Sequence, residues 1–296
     1  MTVASRWALV LGVMAGAVVA LLAFAPAAWL AQRVASASGD YVRLADARGT
    51  VWRGSAVLVL TGGPGSRDAS ALPGRLSWTL GLDGAALALR AQQACCIEGI
   101  ATLRITPALG RVQIELLPAE AAPTTAATAT TAATAATAGT AGTAVALADP
   151  AQALARIGQW PAAWLVGLGT PWNTLQPKGL MRLSTRGLTL QWVQGRWVFG
   201  GRAELDLDAI ASRLSTLEVL GHYHLSVQGD PRGEAATLQL STRSGALQMN
   251  GSGQWAASRL RFSGQAGAAA GSEAALNNLL NLIGRRQGAL SILSIG

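Results

Sequence analysis

Charge, lysine, histidine and cysteine are all scarce in this chain of 296 residues. Only 13% of it is charged while 50% is apolar, which excludes a chain disordered throughout and leaves ample material for a core. Lys178 is the lone lysine, so the formal charge of +8 is carried by arginine. Those arginines are scattered, Arg285-Arg286 being the tightest group, with no basic run and no aromatic stacking platform beside them. Nucleic-acid binding is therefore not expected. A composition rich in Arg, Ala and Gly explains the charge, which still favours contact with anionic lipid or an acidic partner.

The two cysteines, Cys95 and Cys96, are adjacent. On a strand their side chains point to opposite faces, and joining neighbours strains the backbone, so two ordinary small apolar residues are expected. A zinc site needs further ligands, and the only histidines are His222 and His224. Catalytic signatures are missing as well: there is no GxSxG elbow, Walker loop, HExxH or CxxC. His222 and His224 share one strand face, opposite Tyr223, Leu225 and Val227, which makes that face the solvent side. Glu204, Asp206 and Asp208 alternate along another strand without the loop of a calcium site and read as a solvated face. The Gly62-Gly63 and Gly200-Gly201 pairs lack the strand–loop–helix setting of a phosphate cradle. No catalytic, cofactor-binding or metal-binding residue is assigned, and a non-enzymatic protein is expected.

One long hydrophobic run is present. No charged residue lies between Arg6 and Arg33, and Ala8–Leu30 as a helix extends roughly 34 Å, enough to cross a bilayer. Trp7 and Trp29 sit where interfacial aromatics belong, and Pro26 bends or ends the helix. A cleaved signal peptide with Ala35-Ser36-Ala37 as its small-residue site is the competing reading. The run exceeds the usual apolar region of about 7–15 residues, which favours a retained anchor. The expected organisation is a short cytoplasmic tail over 1–6, a single transmembrane anchor over 7–30 and a β-rich body over 33–296. The flanking arginines do not fix the orientation, since Arg33, Arg43 and Arg48 follow the run, but long domains translocate largely regardless of such charges.

Beyond the anchor, short apolar stretches alternate with glycine and proline turns. Thr50–Leu60, Arg75–Leu82, Ala85–Ala91, Ile100–Thr106 and Arg111–Leu117 read as strands. Residues 119–148 are almost wholly Ala, Thr and Gly with no repeating apolar face, and read as a flexible surface insertion. Asp149, Pro150 and the AQALARIG that follows predict a helix. Alternation then resumes in RAELDL, HYHLSV and TLQL, followed by GQWAA and RLRFSG. Ser272, Glu273 and the stripe Leu276, Leu279, Leu280 and Ile283 predict a C-terminal helix with Arg285-Arg286 in its last turn, and Ala289–Ile295 a final strand. The fold class is mainly β: an N-terminal transmembrane helix, then a twisted, curved antiparallel sheet with a few short helices. Trp52, Trp78, Trp192, Trp197 and Trp255 lie in or beside strands and are expected in the core.

Several of these segments resemble the protein N family of the bacterial type II secretion system. Gly49-Thr50-Val51-Trp52-Arg53-Gly54 resembles the family's GTxWxG signature, and Leu72-Pro73-Gly74 with Leu76-Ser77-Trp78 its next strand. Pro177-Lys178-Gly179-Leu180 opens the second half in the same way. Leu217–Gly229, containing Tyr223, is similar to the family's GxYxL strand. Leu238–Gly253, leading to Trp255, resembles its threonine–glycine hairpin, and Leu276–Gly296, with Gly284, Arg285 and Arg286, its C-terminal helix and tail. The Ala/Thr segment is a departure from the family pattern. The resemblance implies a non-enzymatic, single-pass inner-membrane subunit with a cytoplasmic N-terminus and a periplasmic body, serving export of folded proteins across the outer membrane. The partners it implies are other inner-membrane components or the outer-membrane secretin; it implies no cofactor. The second reading is an anchored envelope protein that handles lipid in an apolar groove on a curved sheet.

Overall fold

The computed structural model describes residues 13, 14, 16, 20, 23–120, 154–193, 195–230, 235–256 and 259–296. The Ala/Thr-rich insertion, apart from its first two residues, and the start of the predicted Asp149 helix lie outside them, as does half of the predicted anchor. Among the described residues no helix is long and apolar enough to cross a membrane.

The described body is one antiparallel sheet of 16 strands. Its first half holds β1 (Val42–Gly49), β2 (Arg53–Thr61), β3 (Ala69–Ala71), β4 (Leu76–Asp83), β5 (Ala86–Gln92), β6 (Ile100–Ala108) and β7 (Arg111–Glu120). β8 (Ala155–Pro161) leads to the long hairpin of β9 (Lys178–Val193) and β10 (Arg196–Ala211). β11 (Gly221–Gly229), β12 (Ala235–Gly245), β13 (Leu247–Ala256) and β14 (Arg259–Ala268) continue the meander, and β15 (Arg285–Gln287) and β16 (Leu290–Ile295) finish it. Spatial order follows chain order except that β3 lies beside β2, β8 beside β9, and β16 inserts between β14 and β15. The hairpins are tight because glycines supply the left-handed backbone at their tips, as Gly110 (φ 73°) and Gly195 (φ 84°) do.

From β9 to β16 the two faces differ. Register puts Met181, Leu207, Tyr223 and, further along, Leu205, Leu225 and Leu240 on one face. The same face continues through Gly251, Gly253 and Phe262 to Ile295. The ring of Phe262 lies along the sheet over glycines: a Cβ on Gly251 would stand 2.3 Å from its Cζ. Arg182, Asp206, His224, Gln239, Ser252 and Ser263 occupy the opposite, polar face, as the period of two requires.

The first half curls. A seven-residue 3-10 helix, Ala162–Leu168, follows β8 and packs back on β2 and β3. Trp164 Nε1 donates to Ser70 O (3.1 Å), and a Cβ on Gly167 would meet Leu60 O at 2.4 Å. β8 lies in the lane of β7, four lateral steps from β2, which is roughly 19 Å in a flat sheet. The helix from Pro161 to Gly167 spans only about 12 Å, so the strands between must bend toward it.

Three α-helices with described bounds flank the sheet. α1 (Ala27–Ala37) runs beside β1 and β2, and its Ala27 is buried with Ala56 and Trp78. It begins after a break at Ala25–Pro26, so the last four residues of the predicted 7–30 span belong to it. α2 (Trp172–Leu175) is a single turn. α3 (Glu273–Ile283) is the predicted C-terminal helix, and Leu276, Leu279 and Leu280 pack on Leu220, Tyr223, Leu247 and Ala266 as the main core.

Four expectations need correction. Ala155–Gly158 is strand, because Ile157 is buried and β8 pairs with β9. Cys95 and Cys96 form a disulfide; they sit in the turn after β5, where neighbouring side chains are not forced to opposite faces. Arg285-Arg286 belong to β15, since the helix stops at Ile283 and Gly284 is extended. Of the five tryptophans expected in the core, Trp78 alone is fully buried, while Trp192, Trp197 and Trp255 are exposed.

Candidate functional site

The residues of the GTVWRG segment form a latch. Gly49 and Gly54 are the last pair of the β1–β2 ladder, and Gly49 takes φ 88° to start the turn. Inside it, Thr50 N–H donates to Arg53 O (2.8 Å) and Arg53 N–H donates to Thr50 Oγ1 (3.1 Å). The turn grips β4 through two of its carbonyls: Trp78 Nε1 donates to Val51 O (3.0 Å), and Leu80 N–H donates to Trp52 O (2.7 Å). It also takes hold of the incoming chain, since Val51 N–H donates to Ala25 O (2.9 Å) and Pro26 bridges to Thr50. The signature therefore joins the sheet to the C-terminal part of the apolar run.

A buttress lies next to it. β1 bulges between Ala45 and Arg48, and Asp46 sits there at φ 48°. Arg75, which follows the Leu72-Pro73-Gly74 turn, donates to Asp46 Oδ2 and to Asp46 O, both at 2.7 Å. Its guanidinium, then that of Arg48, holds the Asp46 carboxyl below the usual carboxylate range.

The other family residues are spread apart. Tyr223 is buried in the main core, and its hydroxyl donates to Leu247 O (3.1 Å). Burial pushes that phenol well above its ordinary pKa. Gly284 makes the α3–β15 junction, where a Cβ would meet Ile292 O at 2.5 Å. Arg285 and Arg286 are exposed on the short edge strand, with Arg286 Nη2 3.4 Å from Asn277 Oδ1. Trp255 is exposed near the tip of the β13–β14 hairpin. Thus only Gly49, Thr50, Trp52, Gly54 and Trp78 converge.

Two sets of side chains that looked separate in the sequence do meet. Asp206 lies opposite His224 across β10 and β11, with His224 Nδ1 2.7 Å from Asp206 Oδ1. Arg243 of β12 approaches Asp206 to 2.8 Å, and Arg182 of β9 approaches Asp208 to 2.6 Å. His222 Nδ1 is 3.3 Å from Asp208 Oδ1, and Glu204 pairs with Arg202 at 2.6 Å. Each carboxylate has a cationic partner, so the face is an ion-pair ladder rather than a solvated row. Among the described residues, no group of three or more His, Cys, Asp or Glu side chains could hold a metal ion. The pairing follows from the β10–β11 register, which sets Leu205 opposite Leu225 and Leu207 opposite Tyr223 and is not readable from either strand alone.

A single meandering sheet, helix-capped at one end and latched to an N-terminal apolar segment, defines a mainly β protein with one dominant antiparallel sheet. The chain belongs to the type II secretion system (T2SS) protein N family, whose sequence profile matches residues 40–292. No curated protein and no solved structure matches it. Membership gives the chain a role in type II secretion, associated with the cell envelope and with other subunits of that system.

Proposed function

We propose that the chain is a non-enzymatic inner-membrane subunit of the type II secretion system, anchored by one N-terminal span. Its body stands in the periplasm, where it supports export of folded proteins across the outer membrane by contacting other subunits. The observation that carries this reading is the latch: the GTVWRG turn holds Ala25 and Pro26, near the C-terminal end of the apolar run. A sheet tied so closely to that run is held at a fixed distance from the bilayer that contains it. Among the described residues, β1 and the arginine-bearing β15 are the outermost strands of the sheet, the position from which backbone is offered to a partner strand.

Deleting the gene and assaying exoproteins in medium and periplasm tests the role. Periplasmic accumulation behind an intact outer membrane is the expected result; normal secretion refutes it. Reporter fusions at the C-terminus and alkaline carbonate extraction test the topology.

The lipid-handling alternative rests on one feature: the apolar face runs past α3 through Leu225, Leu238, Leu240 and Phe262, which are only half-buried. Phospholipid retained by the purified protein in native mass spectrometry would support it.

A further inference from the structure

We propose that the hairpin-tip end of the sheet seats directly on the surface of an anionic phospholipid bilayer. The two ends of the sheet are built differently. The 3-10 helix, α2 and α3 gather at one; the other carries the tips of the β4–β5, β6–β7, β9–β10 and β13–β14 hairpins and the end of β16. Large apolar side chains project from those tips one by one: Leu82 (82% exposed), the fully exposed Leu109, the Trp192–Trp197 pair, Trp255 (50%) and Ile295 (56%). At the helix-capped end, none of the exposed Leu180, Val219, Leu282 and Leu290 is more than half exposed.

The tips are also basic. Arg111, Arg196 and Arg259 open β7, β10 and β14 at this end, and all three are exposed. Among the described residues, the acidic ones there are Asp83, paired with Arg104, and the half-buried Asp230. Trp192 and Trp197 stack edge to face with centroids 4.9 Å apart, presenting two indoles at one tip. Tryptophan and leucine over arginine is the chemistry of the bilayer interface: rings and aliphatic groups enter the headgroup layer while guanidinium groups meet lipid phosphates. Separate protruding groups suit a fluid surface, whereas a protein interface packs a contiguous patch.

Position fixes the occupant. The latch lies at this same end, because Leu80 bonds to Trp52 and β4 runs on only to Asp83. The tips therefore reach about 10 Å beyond the latch, close to the thickness of one leaflet's headgroup region, about 5–8 Å. A span that ends at the Ala25–Pro26 break, short of the Leu30 expected from the sequence, brings these tips to the membrane surface. The inference rests on the anchored reading only for that delivery.

The test uses the full chain in vesicles, with Leu109→Cys or Leu82→Cys labelled by an environment-sensitive fluorophore; the native cysteines are already joined. Gln265→Cys, in mid-sheet on the polar face, is the control. With phosphatidylglycerol present, the tip labels should shift to the blue, resist aqueous iodide and be quenched by doxyl lipid. Arg196→Gln with Arg259→Gln should weaken that protection without lowering the melting temperature. Tip labels that match the Gln265 label overturn the proposal, as does protection that appears only when other secretion proteins are added. Carbonate extraction separates the two readings: an integral chain with aqueous tips sinks the docking alone, and an extractable chain sinks the anchor.

Discussion

The indole of Trp78 occupies the space that a side chain on Gly54 would need, its Cζ2 standing 2.4 Å from the position of the absent Cβ. The two residues face each other across β2 and β4, so the backbone of one and the ring of the other form a single packed unit. Gly54→Val should expel the ring and break its bond to Val51, costing about 1–3 kcal/mol as overpacking does. The check is a lower urea midpoint together with a red-shifted component of tryptophan emission. An unchanged midpoint would show that the latch is not held by this contact.

Tyr223 links stability to pH. Its phenol is favoured in the neutral form by burial. A pKa raised in the folded state leaves stability intact below the ordinary tyrosine value of about 10 and removes it as pH climbs beyond. Urea midpoints measured from pH 8 to 11 should fall above about pH 10, and Tyr223→Phe should flatten that fall. At pH 7 the same variant should cost about 1 kcal/mol, the loss of one hydrogen bond.

Leu280→Ala should destabilise the C-terminal half by about 2–5 kcal/mol, since the side chain is fully buried between α3 and the sheet. Differential scanning calorimetry measures it. Leu282→Ala, on the exposed side of the same helix, should change the melting temperature little.

Iodoacetamide should not modify the protein, denatured or native, until a reductant is added; both Cys95 and Cys96 should then react. Intact-mass spectrometry reads the two states. A free thiol before reduction would contradict the pairing in the β5–β6 turn.

Strands β4 to β7 and β10 to β14 were readable because apolar residues recur every second position between glycine and proline turns. β1 went unread: VRLADARG is half polar and only partly covered by α1 at the sheet edge. β8 reads as helix because AQALARIG is rich in helix formers, while its strand state comes from pairing with β9, from Ala155 opposite Thr185 to Pro161 opposite Leu180. The latch residues were visible as a motif, yet their purpose was not, since contact between Val51 and Ala25 spans an entire helix and strand. The exposure of Trp192, Trp197 and Trp255 is hidden for a related reason: period-2 patterning assigns a face but not a distance from the hairpin tip.

Because neighbours in the sheet are almost always neighbours in the chain, assembly can proceed strand by strand from the N-terminus. Loop-closure costs stay small at each step, and little waits on distant sequence. The exception comes at the finish. Leu276, Leu279 and Leu280 belong to the last thirty residues, yet they seal Leu220, Tyr223, Leu247 and Ala266. A chain emerging N-terminus first therefore builds most of its ladder while its main apolar cluster is still uncovered, and holds a chaperone-sensitive surface until α3 has been made. A chain that stalls before α3 leaves that cluster open.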